Sequence, residues 1–239
     1  MKAKSAFAGF LACPPGRHRA FNIWHDQDHR PENHAQIEHV YHSARYVAEP
    51  DHIRARQALE GGLTDPAGEY FAMYWSTATP EKLLYDMTVV RERLRLLGRC
   101  EEINRDFHST WRDRFHVVDA YVPASSVLSA DAVPLAPHLG VVVTLGQYPD
   151  DLSRWARHHK EDFVPHLLSG GNVGAIFTLM PMKESDHHLF LHVWFTRSEP
   201  LVVQALADEL ERDGGATSAT IHLRGSYRPI SPGVYDVYE

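Results

Sequence analysis

Cysteine is nearly absent from this chain of 239 residues, occurring only at Cys13 and Cys100. Two cysteines without paired-ligand spacing exclude a disulfide framework and make a reducing cytoplasm the expected compartment. Long hydrophobic runs are missing as well. No apolar stretch approaches the roughly 18–20 residues that a membrane span needs, so no membrane partner is expected. The opening "MKAKSAFAGFLACPPG" has a short basic start, but it lacks a long leucine-rich centre and runs straight into Pro14-Pro15-Gly16. It reads as a strand rather than a signal peptide. Basic charge is not in excess either: 24 Lys and Arg stand against 31 Asp and Glu, a net charge of −7, so nucleic acid is not an expected partner. A glycine-rich phosphate loop is absent, because "SGGNVG" at 169–174 precedes an apolar strand instead of a helix. The G-x-S-x-G elbow of serine hydrolases is absent too. What remains is a globular composition with 44% hydrophobic residues, enough for one large domain or two of about 100–120 residues.

Self-similarity is present. Trp24 lies 26 residues before Pro50, and Trp155 lies 26 residues before Pro181. Each tryptophan follows an apolar run and a turn, "SAFAGFLACPPG" in one half and "LGVVVTLGQYPDD" in the other. Second apolar runs follow, "HVYHSARYVAEP" and "NVGAIFTLMP", then third ones, "EYFAMYWSTATP" and "HLFLHVWFTRSEP". Pro80 and Pro200 then open amphipathic stretches, as suits a residue whose missing N–H costs nothing in a first helical turn. A last strand closes each half. Both halves therefore read β-α-β-β-α-β, the ferredoxin-like plan. The strands are apolar on both parities, so helices should cover one face of each sheet and the other sheet the second face. The expected fold is α+β, with two tandem units packed as a pseudo-dimeric α+β barrel. The first unit spans 1–122, with insertions at 51–67 (a loop or lid) and 99–113. A Pro-, Ala- and Ser-rich linker covers 123–138, and the second unit spans 139–239.

Five of the 17 histidines crowd into "FNIWHDQDHRPENHAQIEHVYH", residues 21–42. If residues 19–29 are helical, Phe21, Trp24, His25, Asp28 and Glu32 share one stripe with His29 at its edge, and Pro31 should bend or end the helix near His29. A helix packed only on a sheet would prefer leucine there, so a cavity is expected behind this mixed aromatic and titratable stripe. An imidazole in such a pocket has the tunable pKa that proton transfer near neutral pH requires. His29 is the expected general acid/base, Asp28 its orienter and His25 a second polar group. Trp24 and Phe21 would wall the pocket, with Tyr74 presenting an aromatic surface from the third strand. Tyr41 and Arg45 share a strand parity on which Arg45 could clamp a carboxylate or oxyanion. The blander alternative keeps His29 at a helix end on a backbone carbonyl and Arg45 in a structural salt bridge.

The segment "FNIWHDQDHRPE" resembles the EthD-like branch of the dimeric α+β barrel superfamily, with Phe21, Trp24, Asp28, His29 and Pro31 at its aromatic, Trp and acidic-His-x-Pro positions. The likeness covers about 100 residues of the first half. In the second, "LSRWARHHKEDFVP" keeps Trp155 but sets Lys160 where His29 is expected. The resemblance implies a cofactor-independent enzyme acting on a small apolar, aromatic or polyketide-like molecule as lyase, cyclase, isomerase or cofactor-free oxygenase. Such a fold also hosts haem enzymes, and fold alone does not select the reaction. A metal reading rests on the His25-x-x-x-His29 pair, with Glu32, His39 or His42 as a third ligand. A haem reading rests on a second-half histidine (His158, His159, His166 or His192), as in tandem relatives similar to chlorite dismutase. A non-catalytic binding or stress protein is the remaining alternative. The expectation is no metal and no cofactor, with a small-molecule substrate and, at most, a second copy of the chain as partners.

Overall fold

The computed structural model describes residues 2–34, 36–64, 68–99, 108–149, 151–182, 188–213, 219–231, 233 and 235. The strands are β1 (Ser5–Ala12), β2 (Val40–Val47), β3 (Gln57–Ala58), β4 (Tyr70–Ser76), β5 (His108–Tyr121), β6 (Gly140–Gln147), β7 (Val173–Pro181), β8 (Leu189–Thr196) and β9 (Thr220–Pro229). The α-helices are α1 (His18–Trp24), α2 (Arg30–His34), α3 (Pro50–Ala55), α4 (Pro80–Leu96), α5 (Leu152–His158), α6 (Val164–Ser169) and α7 (Pro200–Asp213).

Eight strands follow one another in the order β2-β4-β1-β5-β7-β8-β6-β9, all antiparallel, and β2 closes the ring on β9 through Tyr46 opposite Pro229 and Val47 opposite Arg228. The first four and the last four repeat one plan, so the chain is two ferredoxin-like units joined into a pseudo-dimeric α+β barrel. Strand alternation sorts the side chains. Ala6, Ala8, Phe10, Phe71, Met73 and Trp75 point inward to meet Val141, Val143, Phe177, Leu191, Val193 and Phe195 from the second unit. The barrel interior is thereby filled, and a ligand space must lie between sheet and helices.

The segment 51–64 does not lie over the first unit as a lid would. Its α3 and β3 reach across to the second unit, where β3 pairs with β9 and the buried His52 meets Ser226 Oγ at 3.0 Å. Residues 65–67 of this expected insertion, and 100–107 of the one at 99–113, fall outside the described residues.

Pro31 does not end the helix. A π-helical turn, His25–His29, separates α1 from α2, and its counterpart, His159–Phe163, separates α5 from α6. Pro31 and Pro165 each stand second in the helix that follows. A proline there lacks an N–H for the carbonyl four residues back and crowds it, and the wider turn relieves both problems. The prolines also set the register between the units. His25 matches His159, Asp28 matches Asp162 and Pro31 matches Pro165, so Phe21 is the equivalent of Trp155, each the fourth residue of its helix. Trp24 and Trp155 thus occupy the same element one turn apart. Phe163, not Lys160, stands in the place of His29.

Candidate active site

Behind the first unit's helices lies a cavity of about 500 Å³, lined by Phe21, Trp24, His25 and His29 from the α1–π turn, Ala72 and Tyr74 from β4, and residues of β1, α4 and β5. Its floor is open because the sheet carries small side chains there. Gly9 faces Ala72 across the β1–β4 pairing, and a Cβ on Gly9 would stand 3.0 Å from Arg112 Cβ. In the second unit the pairing that corresponds is Thr144 with His192, and the space is packed with rings. There His159 stacks on Trp155 (4.8 Å, 13°) and on His192 (4.5 Å, 26°), with Phe163 beyond.

Within the first cavity the His29 ring lies 4.5 Å from Trp24 and 5.2 Å from His25. Burial lowers His29 to about 4, the nearby Asp28 charge opposing the shift only in part. At neutral pH its imidazole is uncharged. His25 is fully enclosed and still further below its ordinary value, chiefly through burial and then through the Arg45 charge. Its Nε2 meets the Tyr74 hydroxyl at 3.2 Å, and burial keeps that phenol protonated far above neutral pH.

A buried polar cluster braces this pair from behind. Asp26 accepts hydrogen bonds from Arg45 Nε (3.2 Å), Arg45 Nη2 (2.8 Å) and the Tyr235 hydroxyl (3.1 Å), and its Oδ1 lies 3.6 Å from His25 Nδ1. Arg45 Nη1 donates to Asn22 Oδ1 at 2.9 Å, and Asn22 donates on to Tyr70. A buried guanidinium with its carboxylate and amide partners in place is stable; removing any one would strand a charge.

Three expected site residues fall elsewhere. The Asp28 carboxylate turns outward to Arg99 at 3.1 Å while its charge still acts on His29, and the acid behind His25 is Asp26. Arg45 is committed to Asp26 and Asn22 and does not line the 500 Å³ cavity. Tyr41 leaves the parity of Arg45 because the β2–β4 register shifts between Val40 and His42. One extra residue in a strand turns the side chains preceding it to the other face. Tyr41 instead packs against the barrel core and borders a separate cavity of about 390 Å³ with Asp26, Arg30 and His42.

Arg91, Arg112 and Arg114, which also line the large cavity, were not anticipated. The signal was legible: the i, i+2 pair in "WRDRF" puts Arg112 and Arg114 on one face of a strand.

Metal and haem can be tested against these residues. Among the described residues no group of three or more His, Cys, Asp or Glu side chains is arranged to hold a metal ion. In the second unit His159 and His192 have buried Nε2 atoms without partners. Yet the rings of Trp155, His159, His192 and Phe163 cover one another's faces, and neither histidine borders the two cavities described above. These two packed histidines do not fit an axial haem ligand; of the other two candidates, His158 pairs with Asp162 at 3.0 Å and His166 is exposed.

No family model matches the chain, and no curated protein matches it in sequence. Solved structures do match it in fold. A candidate chlorite dismutase aligns with a TM-score of 0.61 at 11% identity, over 100% of this chain and 98% of its own. A candidate monooxygenase from Fusobacterium nucleatum aligns at 0.59 and 6% identity, over 97% and 94%. An anthrone oxidase-like protein aligns at 0.58 and 9% identity, over 97% and 92%. At such identities the likeness establishes the fold: this chain has the architecture of dimeric α+β barrel proteins, both units on one polypeptide.

Proposed function

We propose that the first unit is a cofactor-independent enzyme that abstracts a proton beside a carbonyl or phenol of a small aromatic, polyketide-like molecule. The observation that carries this reading is an uncharged imidazole, His29, facing an aromatic-walled cavity of about 500 Å³. A neutral imidazole can accept a proton at any pH above its own value, and positioned acid/base groups contribute about 10²–10⁴-fold in rate. With the Asp26 carboxylate 3.6 Å from Nδ1, the favoured His25 tautomer carries its proton there, and Nε2 accepts from the Tyr74 hydroxyl. Arg45 fixes Asp26, and Asn22 fixes Arg45. Trp24 and Phe21 offer flat apolar walls to an aromatic ring. The second unit has Phe163 where His29 would be and serves as scaffold.

The fold it shares with an anthrone oxidase-like protein, and the EthD-like pattern of residues 21–31, support an oxygenase outcome among lyase, cyclase and isomerase alternatives. Anthrone is therefore the first probe. Loss of its methylene proton to His29 would give an enolate, and reaction with dioxygen would then yield anthraquinone and water. With no metal or haem added, the protein should accelerate both deuterium washout at that methylene and oxygen uptake. His29→Ala should slow both by about 10²–10⁴-fold, whereas His159→Ala should lower activity only as far as it lowers the folded fraction. Full turnover by folded His29→Ala would refute the assignment. A Soret band on mixing with haemin, with activity that depends on it, would favour a haem oxidoreductase instead.

A further inference from the structure

The chemistry above leaves three arginines of the cavity unused. Arg112 and Arg114 project from β5 on its helix-facing side, and Arg91 projects from α4. The Arg114 guanidinium lies 5.6 Å over the Phe7 ring, and its Nε is buried without a hydrogen-bond partner. Among the described residues no carboxylate forms an ion pair with any of the three. Asp113, whose charge does act on Arg114, alternates to the opposite side of β5, opposite the barrel-lining Ala8.

The second unit supplies an internal control. Arg112 pairs with Gly9 in β1, and its equivalent Arg224 pairs with Thr144 in β6. Arg224 is buried and fully satisfied: it donates to Thr144 Oγ1 at 3.0 Å, to Asp208 at 2.8 Å and to Glu211. Both acids come from α7. Counted from the proline that opens each helix, Thr88 takes the place of Asp208 in α4, and Arg91 takes the place of Glu211. One unit therefore balances its arginine with two carboxylates of its own. The other replaces those carboxylates with a threonine and a further arginine, adds Arg114, and leaves an aromatic cavity between them. Three like charges around a partly apolar space repel one another unless an anion enters.

We infer that the cavity binds an aromatic carboxylate, its ring against Trp24 and Phe7 and its carboxylate on Arg112 and Arg114, with Arg91 completing the clamp. The inference rests on the cavity assigned above as the active site, and it names the charge class of its substrate.

Two isosteric probes, 2-naphthoate and the neutral 2-naphthamide, can be titrated into the intact protein by calorimetry. Naphthoate should bind roughly tenfold or more tighter, the gain expected of a charge-assisted contact over a neutral one. Its affinity alone should weaken with added salt. The double variant R91Q/R112Q alters two exposed side chains and leaves the core intact; it should bring the two affinities within about twofold. R114Q should do part of the same. Equal affinities in the unaltered protein, or a naphthoate preference that survives R91Q/R112Q, would overturn the inference. His29→Ala separates it from the proton-transfer reading: naphthoate preference retained in an inactive protein supports the anion site whatever the reaction proves to be. His29-dependent turnover without any such preference leaves the chemistry standing and removes the anion site.

Discussion

At the scale of single residues, burial dominates the imidazoles. His29 and His159 are held at about 4, and His25 and His192 well below their ordinary value, with burial the largest cause for all four. In the unfolded chain such groups titrate near 6.5. Above that pH neither state binds protons at these sites and folding loses nothing. As the pH falls from about 6.5 toward 4, the unfolded chain takes up protons that the folded one refuses. Stability should therefore decline across that window by up to about 1.4 kcal/mol per pH unit for each group. Urea midpoints at pH 7, 5.5 and 4.5 measure this directly. His159→Phe should make the decline shallower, and a midpoint independent of pH would contradict the assigned shifts. That histidines would cluster with aromatics near residues 21–42 was plain in the sequence. Which carboxylate would face them was not. Asp26 and Asp28 are two positions apart, and the π turn that decides between them changes the helical phase by a fraction of a residue.

At the scale of elements, two irregularities shape the site, and both escape a reading by ideal periods. The π turns let α1–α2 and α5–α6 run through Pro31 and Pro165, where a proline would otherwise break the helix. The matching frames "HDQDHRP" and "HKEDFVP" could have revealed the register, but the tryptophans, being larger, suggested another. The shift in β2 separates Tyr41 from Arg45, and nothing in "VYHSARYV" marks where an extra residue falls. The cavity itself depends on small residues at the β1–β4 pairing, where Gly9 meets Ala72. Ala72→Leu should fill it. The new side chain would occupy space beside His25 and Tyr74, giving at least about a tenfold loss of naphthoate affinity if the contacts it displaces are worth 1.4 kcal/mol or more. Because the methyl groups enter open volume, thermal stability should stay within a few degrees or rise. Unchanged affinity in Ala72→Leu would mean that the ligand sits elsewhere.

At the scale of the whole molecule, neither unit buries its sheet alone. The strands' apolar parity on both faces made this legible from sequence. The ring closure is uneven, since β5 and β7 pair over most of a strand while β2 and β9 meet through two residue pairs. Most of the cohesion between units therefore lies in the shared interior. Trp75 is central to it: fully buried in the first unit, its ring lies 4.5 Å from Phe177 and 6.1 Å from Phe195 of the second. Truncating a buried tryptophan to alanine removes its transfer free energy and leaves a cavity that neighbours fill only in part, typically a loss of about 3–5 kcal/mol. Because the lost contacts belong to both units, Trp75→Ala should destabilise them together. Urea unfolding followed by far-ultraviolet circular dichroism and by tryptophan fluorescence should give coincident single transitions in both proteins, shifted to lower urea in the variant. Two transitions, of which only the first unit's moved, would mean that the units fold independently and that the filled barrel contributes little to holding them together.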